Sequence, residues 1–308
     1  MRNPRRRKTT DMAVKGGYQE RDSPFFRLKS KTKLATFLFI GSQKLKDLSD
    51  GRDLYRSFQK LKGNGKTREI NAPRDDLKKV QRRIADLLQR IQPPDYLFAP
   101  VNGRSYVDNA AVHVGANAVH LLDIEDFFPS CTANKVIWFF KTRMECSADV
   151  SVILKNIVTR KGCLPQGSPC SPILAYLCYA DMWNEIEEAV RRHHCQISVY
   201  ADDLTISGKV VPQQLVWEIK ATLRKHGHVI SAHKERSRFK RPVEITGVVV
   251  TNGRMSVPNR QLKRIVETRD KLANEKKPKA VEKLQNELKG RISQVTQIKN
   301  HPRQPAHY

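Results

Sequence analysis

Apolar residues are spaced at helical intervals in the first part of the chain. Over residues 24–61 they alternate with lysines and arginines, which predicts short amphipathic helices. A glycine-rich, hairpin-like turn at 62–66 comes next, and a further helix is predicted over 76–91, before Pro93 and Pro94. Residues 1–23 are basic and polar, and we predict that they form a flexible arm.

Short apolar runs appear after residue 118, and the pattern becomes a mixture of strands and helices. Strands are predicted at 119–124, 197–200 and 204–207, and helices at 132–144, 171–192 and 212–226. Residues 244–251 and 254–257 flank Asn252-Gly253, which is typical of a β-hairpin with a type I′ turn. Residues 258–308 are helical in pattern and strongly basic. The chain is therefore predicted to have an α+β fold.

Positive charge dominates the composition. The 308 residues include 57 lysines and arginines against 31 acidic residues, a formal net charge of +26. An excess of this size indicates a polyanionic partner, and nucleic acid is the first candidate because basic side chains neutralise its phosphates. A basic surface that only keeps the protein soluble is the alternative. No membrane contact is expected, since no apolar run approaches the roughly 20 residues of a membrane-spanning helix.

The six cysteines do not form a C-x-x-C pair, so neither a zinc site nor a disulfide framework is supported. The basic N-terminus is not followed closely by an apolar stretch long enough for a signal peptide. We therefore expect a cytoplasmic protein with reduced thiols.

Two adjacent aspartates, Asp202 and Asp203, follow Tyr200 and Ala201 between two predicted strands. Both carboxylates can approach one point only at a tight turn, because neighbouring side chains of a strand face opposite ways. Adjacent carboxylates repel unless a cation or proton relieves them, and Mg²⁺ prefers such ligands together with substrate phosphates. A solvated hairpin turn is the alternative interpretation.

A third carboxylate and an irregular loop narrow the choice. Asp123 ends an apolar strand and is followed by Phe127-Phe128, and it could complete a site for two metal ions. The loop at 164–172 contains three prolines and a glycine, and it could bring backbone close to a nucleotide.

In order and spacing, these segments resemble motifs A, B and C of reverse transcriptases: Asp123 with Phe128, Pro165-Gln166-Gly167, and Tyr200-Ala201-Asp202-Asp203. The resemblance extends over about 61–298 and weakly upstream from Ala35. It implies a right-hand polymerase fold with fingers, a ferredoxin-like palm and a short helical thumb. The implied division is an arm at 1–23, N-terminal helices and fingers at 24–118, palm at 119–257 and thumb at 258–308.

The resemblance also implies roles for individual residues. Two Mg²⁺ ions would be held by Asp123, Asp202 and the backbone of Ile124, with Asp203 in support. Phe128 would exclude a ribose 2′-OH, and Gln166 and Gly167 would line the incoming dNTP. Two further matches concern basic residues: Lys66 and Arg68 in the fingers would grip the triphosphate, and Lys234 would donate a proton to pyrophosphate.

Three stretches resemble retron reverse transcriptases in particular: Asn109-Ala110-Ala111-Val112-His113, Val243-Glu244-Ile245-Thr246-Gly247, and the form of the 164–172 loop. This implies RNA-binding roles for Asn109, His113, Thr246 and Gly247. It also implies a structured noncoding RNA as template and primer, priming from an RNA 2′-OH, multicopy single-stranded DNA as product, and anti-phage defence with a separate effector protein. The chain departs from the family pattern at Tyr176 and Trp183.

Rival hypotheses remain at this point. A catalytically idle RNA-binding scaffold of the same fold is disfavoured by the intact aspartates. An RNA polymerase is disfavoured by Phe128. A group II intron-like reverse transcriptase is disfavoured because such enzymes usually carry long maturase extensions.

Overall fold

A computed structural model describes residues 17–61, 65, 67–251 and 253–302. Its N-terminal part has helices α1 (Lys31–Phe37), α2 (Ser42–Asp50) and α3 (Asp75–Leu88) and the antiparallel pair β1 (Tyr55–Leu61) and β2 (Thr67–Pro73). The side chain of Ser30 caps α1 by accepting a hydrogen bond from the Lys33 amide. The prediction of helices was right for 31–50 but wrong for 55–61, which is a strand.

Five strands form the central sheet: β3 (Leu97–Ala99), β4 (Ala118–Asp123), β5 (Gln196–Tyr200), β6 (Asp203–Gly208) and β7 (Arg236–Phe239). Their order is β3-β5-β6-β4-β7, and every pair is antiparallel except β3 with β5. The side chains of β4, β5 and β6 are mostly buried, and burial of β4 was predicted from its sequence. Strand β3 lies upstream of residue 119, where the palm was expected to begin.

Helix α4 (Tyr106–Ala111) packs on β3 and β5 of this sheet. The same part of the chain contains α5 (Phe127–Ser130), α6 (Ala133–Trp138), α7 (Ala148–Val158) and α10 (Gln213–Lys225), and a π-helical turn at Phe139–Arg143 extends α6. The helix predicted at 171–192 is wrong in one respect, because it is broken into α8 (Ser171–Leu177) and α9 (Ala180–Arg192). At the break, the Tyr179 hydroxyl donates to the Ser130 carbonyl at 3.1 Å and accepts from the Thr132 amide at 3.2 Å. These contacts from a distant segment account for the break.

Tyr176 and Trp183, the two departures from the family pattern, lie on either side of this break. Their rings stack with centroids 6.2 Å apart, and the Tyr176 hydroxyl lies 3.1 Å from that of Tyr96. The unusual residues therefore pack together in the core, away from the aspartates.

A second, three-stranded sheet follows: β8 (Val243–Ile245), β9 (Val248–Thr251) and β10 (Arg254–Ser256), in the order β10-β9-β8. The predicted single strand at 244–251 is interrupted by Thr246 and Gly247, which both have positive φ and join β8 to β9. Two successive residues of this kind suit a type I′ turn, so the segment makes two hairpins instead of one.

The C-terminal part consists of α11 (Asn259–Asn274) and α12 (Pro278–Lys299) packed on each other. Ile298 of α12 returns to a small hydrophobic core with Val107 and Ala110 of α4 and the apolar residues of β8 and β9. A larger core unites the N-terminal helices with the central sheet. The mixed architecture confirms the α+β fold class, and none of the described helices is long and apolar enough to cross a membrane.

Candidate active site

Strand pairing brings the three aspartates together where the neighbouring strands β4, β5 and β6 meet at one end of the central sheet. Asp123 is the last residue of β4 and lies opposite Asp203, the first residue of β6. Asp202 lies in the turn between β5 and β6, where the Ile124 amide donates a hydrogen bond to the Asp202 carbonyl at 3.0 Å. Ala201 has a φ of 58°, which is uncommon for a residue other than glycine and lets the turn be tight.

Asp202 and Asp203 line different cavities. Asp202 lines a cavity of about 770 Å³ together with Asp123 and Ile124. Asp203 lines a smaller cavity of about 190 Å³ on the other side of Asp123, near Thr246. Of the three aspartates, Asp123 is the one that borders both cavities, and it shares the larger cavity with Asp202.

The acidic cluster is costly to ionise. Burial, followed by the charge of Asp123, raises the pKa of Asp202. Burial and the charges of Asp202 and Asp123 also raise the pKa of Asp203. These carboxylates therefore need positive charge nearby in order to stay ionised.

Lys234 supplies part of that charge. Its Nζ donates to both carboxylate oxygens of Asp123, at 2.8 and 2.7 Å. Burial lowers the pKa of Lys234, but the hydrogen bond and the charge of Asp123 outweigh this effect, so the net shift is upward. Lys234 is consequently protonated and borders both cavities.

The donor set fits magnesium. Carboxylate oxygens that face an open cavity, next to a backbone segment, are what this ion uses together with substrate phosphates. Within the described ranges, no group of three or more His, Cys, Asp or Glu side chains already has metal-ligand spacing. Asp123 and Asp202 would have to share the ion with substrate oxygens, as Mg²⁺ commonly requires.

Arg68 lies across the same cavity from the aspartates. Its Nε is buried and has no hydrogen-bond partner among the described residues. A buried, unsatisfied guanidinium donor is expected to bind an anion, and a triphosphate has suitable geometry. Lys66, the other predicted triphosphate ligand, lies outside the described residues.

Phe128 borders the cavity on helix α5. Its ring is half-buried and packs against Phe127, with ring centroids 5.6 Å apart. Phe127 is itself buried and lies 5.8 Å from the ring of His228. Phe128 thus presents an aromatic wall that is supported from behind.

The loop with Gln166 and Gly167 is attached to strand β2. The Asn71 amide donates to the Gln166 carbonyl at 2.7 Å, and Gln166 lines the cavity. Gly167 has a φ of 119°, and a Cβ there would lie 3.1 Å from the Asn71 carbonyl oxygen and from Ile70. Glycine is therefore required at this position by both conformation and space.

A segment that sequence reasoning largely missed holds Asp123 in place. The Ser231 amide donates to the Asp123 carbonyl at 2.8 Å, and the Glu125 amide donates to the Val229 carbonyl at 2.8 Å. His228 Nδ1 lies 2.8 Å from Ser130 Oγ, at the end of α5. Because of these contacts, we name residues 228–231 the support segment. Its only signal in the sequence was the motif that carries Lys234.

The predicted RNA contacts at Asn109 and His113 do not fit the structure. His113 is fully buried, with its two ring nitrogens 2.7 Å from the hydroxyls of Ser207 and Ser198. Burial lowers its pKa to about 3, so it is a neutral core histidine. Asn109 is also buried and donates to Thr246 Oγ1 at 3.3 Å. Neither side chain is available for direct contact with RNA.

Thr246 and Gly247 are more accessible but have structural partners. The Thr246 hydroxyl donates to the Tyr106 carbonyl at 3.0 Å, and the Gly247 carbonyl accepts from Gln261 at 3.3 Å. They join α4, the second sheet and α11 at the root of the C-terminal helices. Their RNA-binding role remains a prediction.

Comparison with known proteins agrees with this arrangement. Residues 59–250 match the family described as reverse transcriptase (RNA-dependent DNA polymerase). The chain is 30% identical over 262 residues to the Retron Se72 reverse transcriptase of Salmonella heidelberg (strain 579083-10), covering 79% of this chain and 68% of that protein. It is 30% identical over 206 residues to the Retron Ec86 reverse transcriptase of Escherichia coli, covering 64% of this chain and 63% of that protein.

Among solved structures, the chain resembles a foamy viral protease-reverse transcriptase in complex with double-stranded DNA. The similarity covers 75% of this chain and 35% of that one, with 18% identity and a TM-score of 0.43. The family match covers more than half of the chain, and the Se72 alignment covers more than two thirds of that relative. The chain therefore belongs to the reverse transcriptases, which are RNA-dependent DNA polymerases, and within them to the retron type.

Proposed function

We propose that this reverse transcriptase copies a structured noncoding RNA into multicopy single-stranded DNA, starting from a 2′-OH of that RNA. The observation that carries the polymerase chemistry is the single cavity of about 770 Å³ that Asp123, Asp202, Arg68, Phe128 and Gln166 share. This cavity brings together the acidic, basic and aromatic groups that the proposed chemistry would use.

Asp123, Asp202 and the backbone of Ile124 would hold two Mg²⁺ ions at the acidic end of the cavity. Bound there, the ions would activate the primer hydroxyl and stabilise charge on the α-phosphate and the leaving pyrophosphate. Asp203 would act from the neighbouring cavity by fixing the position and charge of Asp123.

The basic and aromatic residues would orient the incoming dNTP. Arg68, together with Lys66, would bind the triphosphate, while Gln166 and Gly167 would lie along the base and sugar. Phe128 would exclude a ribose 2′-OH. Lys234 is held protonated beside Asp123, so it could give a proton to pyrophosphate once substrate enters.

The RNA partner, the 2′-OH priming and a role in anti-phage defence with a separate effector protein are proposed from the resemblance to retron enzymes. The excess of positive charge supports the RNA partner. A cytoplasmic location is proposed because the six cysteines do not have the spacing of a disulfide framework.

Replacement of one metal ligand tests the chemistry. Asp202→Asn keeps the size of the side chain but removes the charge that would bind Mg²⁺, so we expect DNA synthesis on a primed RNA template to fall at least about 1,000-fold. Binding of the same template, measured by fluorescence anisotropy, should be unchanged because the basic surface is intact. Near-normal synthesis by Asp202→Asn would refute the two-metal assignment.

Sequencing the nucleic acid that co-purifies with the protein tests the partner. A single abundant RNA joined to DNA through a 2′ linkage is the expected result, and Asp202→Asn should yield the RNA without the DNA. Random cellular RNA with no attached DNA would contradict the proposed product, and RNA alone in both samples would favour an idle scaffold.

A further inference from the structure

Strand β7 forms an unusually basic edge of the central sheet. Arg236, Arg238, Lys240 and Arg241 are four of the six residues at 236–241, and all four are exposed. We name residues 236–241 the β7 edge. Arg236 lines the cavity of about 190 Å³ with Asp123 and Asp203. None of the residues 237–241 lines either cavity of the acidic site, so the proposed chemistry leaves them unexplained.

The charges of the β7 edge are uncompensated. Within the residues that the structure describes, none of its four basic side chains forms an ion pair, although many other cations of the protein do. Lys220 pairs with Glu235 at 2.7 Å and Arg143 with Glu20 at 2.6 Å, for example. Four like charges kept together on one edge oppose folding unless an anion binds there.

The backbone and one aromatic ring add to this surface. In the central sheet β7 is the last strand and pairs with β4, and no described strand lies along its outer edge. Phe239 is 56% exposed at the end of the strand, and Lys240 Nζ lies 5.5 Å from the centre of its ring. An exposed ring beside cations suits the stacking of an unpaired base between phosphate contacts.

A cavity of about 400 Å³ adjoins the β7 edge, and Lys240, Arg241 and Asn117 contribute to its lining. It lies beside the beginning of β4, whereas Asp123 ends that strand five residues after Ala118. At the rise of an extended strand, the two ends are about 17 Å apart. The part of the β7 edge from Arg238 to Arg241, which the proposal below uses, is therefore separate from the acidic site.

We propose that the β7 edge binds a single-stranded segment of the RNA partner, outside the catalytic cavity. Arg238, Lys240 and Arg241 contact successive phosphates, and an unpaired base stacks on Phe239. A single strand fits better than a duplex, because in a duplex the faces of the bases are not available to an aromatic side chain. This inference rests on the proposed function only in taking RNA as the partner.

The test compares two triple variants of the full-length chain. Arg238→Gln with Lys240→Gln and Arg241→Gln removes three charges from the β7 edge. Lys78→Gln with Lys79→Gln and Arg82→Gln removes three exposed charges from α3, which also lack ion pairs among the described residues, and serves as the control. The probe is a fluorescent 20-nucleotide oligouridine, measured over a range of salt concentrations without dNTPs.

We expect the β7 triple variant to bind oligouridine at least about tenfold more weakly. The slope of log affinity against log salt concentration, called the salt slope below, should fall in magnitude by about 2, as the loss of three phosphate contacts on a single strand predicts. The α3 control should change affinity less than about threefold. Extension of a preformed oligo(dT) primer on poly(rA) at saturating template should remain near normal in both. Equal losses of affinity in the two triple variants would overturn the proposal.

Phe239→Ser separates stacking from charge. It should weaken binding of oligouridine about 5- to 50-fold while leaving binding of a 20-base-pair RNA duplex unchanged. Photo-crosslinking with 4-thiouridine should attach the probe to a peptide that contains residues 236–241. If no crosslink maps to that peptide, or if Phe239→Ser weakens single strands and duplexes alike, the β7 edge does not bind single-stranded RNA. These outcomes are independent of Asp202→Asn, whose failure would instead overturn the proposed chemistry.

Discussion

Asp203 is surrounded by other carboxylates, and its protonation should affect the stability of the fold. Burial and the charges of Asp202 and Asp123 raise its pKa. At pH values between the pKa of the unfolded state and this raised pKa, the folded state therefore holds a proton that the unfolded state has released. Stability then falls as pH rises from the unfolded pKa through the raised folded pKa. Asp203→Asn removes this penalty.

We therefore expect Asp203→Asn to raise the melting temperature in EDTA at pH 8, by about 2–4 °C for each kcal/mol of repulsion removed. At pH 5 the gain should shrink, because Asp203 is then already largely protonated in the folded state. Differential scanning fluorimetry at the two pH values measures this, and an equal gain at both would show that charge is not the cause.

Phe128 offers a second test at the scale of one side chain. Phe128→Ala removes the aromatic wall beside the predicted sugar position, so ribonucleotides should enter more readily. We expect the ratio of rNTP to dNTP incorporation to rise by at least about tenfold, from the loss of roughly 1.4 kcal/mol of discrimination. Single-nucleotide extension gives the ratio, and an unchanged ratio would show that Phe128 only packs against Phe127.

At the scale of elements, the support segment links the end of α10 to the acidic site. His228 contacts Ser130 and Phe127, and both lie on the short helix that carries Phe128. With four residues, that helix has little stability of its own. The position of Phe128 should therefore depend on His228.

His228→Ala should raise the ratio of rNTP to dNTP incorporation, though less than Phe128→Ala does. His226→Ala is the matched control, since His226 is similarly buried but faces Asp181 and Glu185. His228→Asn keeps a polar group near Ser130 and should restore part of the discrimination. If both alanine variants lower activity and leave the ratio unchanged, the support segment only stabilises the fold.

The sequence predicted elements well where the signal was local. The strands that carry Asp123 and Asp203 are short, locally recognisable segments, and their positions were predicted to within a residue. Strand β1 was taken for helix because its residues are largely exposed and its partner β2 lies further along the chain. The break at Tyr179 was missed because its hydrogen bonds reach back almost 50 residues.

The candidate site was predicted mainly through motifs, not through periodicity. Spacing alone brought Asp202 and Asp203 together, whereas Arg68 and Gln166 meet the aspartates only in the folded chain. His113 shows the opposite case: its motif implied contact with RNA, yet two buried serines satisfy it. The environment of a polar side chain depends on distant strands, which a single sequence does not reveal.

For the whole molecule, the basic C-terminal helices should provide affinity for RNA without sequence preference. Lys263→Gln with Arg264→Gln on α11, or Lys276→Gln with Lys277→Gln after it, removes two exposed charges each. Each pair should weaken cognate and unrelated structured RNA alike and reduce the salt slope by about 2. Filter binding over a salt series measures both effects. Selective loss of the cognate RNA with an unchanged slope would contradict this division of labour.

The start of α11 and the end of α12 both attach the C-terminal helices to the rest of the protein. Helix α11 starts just after the second sheet, and α12 returns Ile298 to the small core, where His301 lies 2.8 Å from Asp108. The 22 residues of α12 span about 33 Å. If the helical pair rotated about the small core by about 10°, the opposite end of α12 would move by about 6 Å, given the length of the helix. Small shifts in packing around Ile298 would therefore move the far end of the helical pair by a distance as large as the spacing between successive nucleotides.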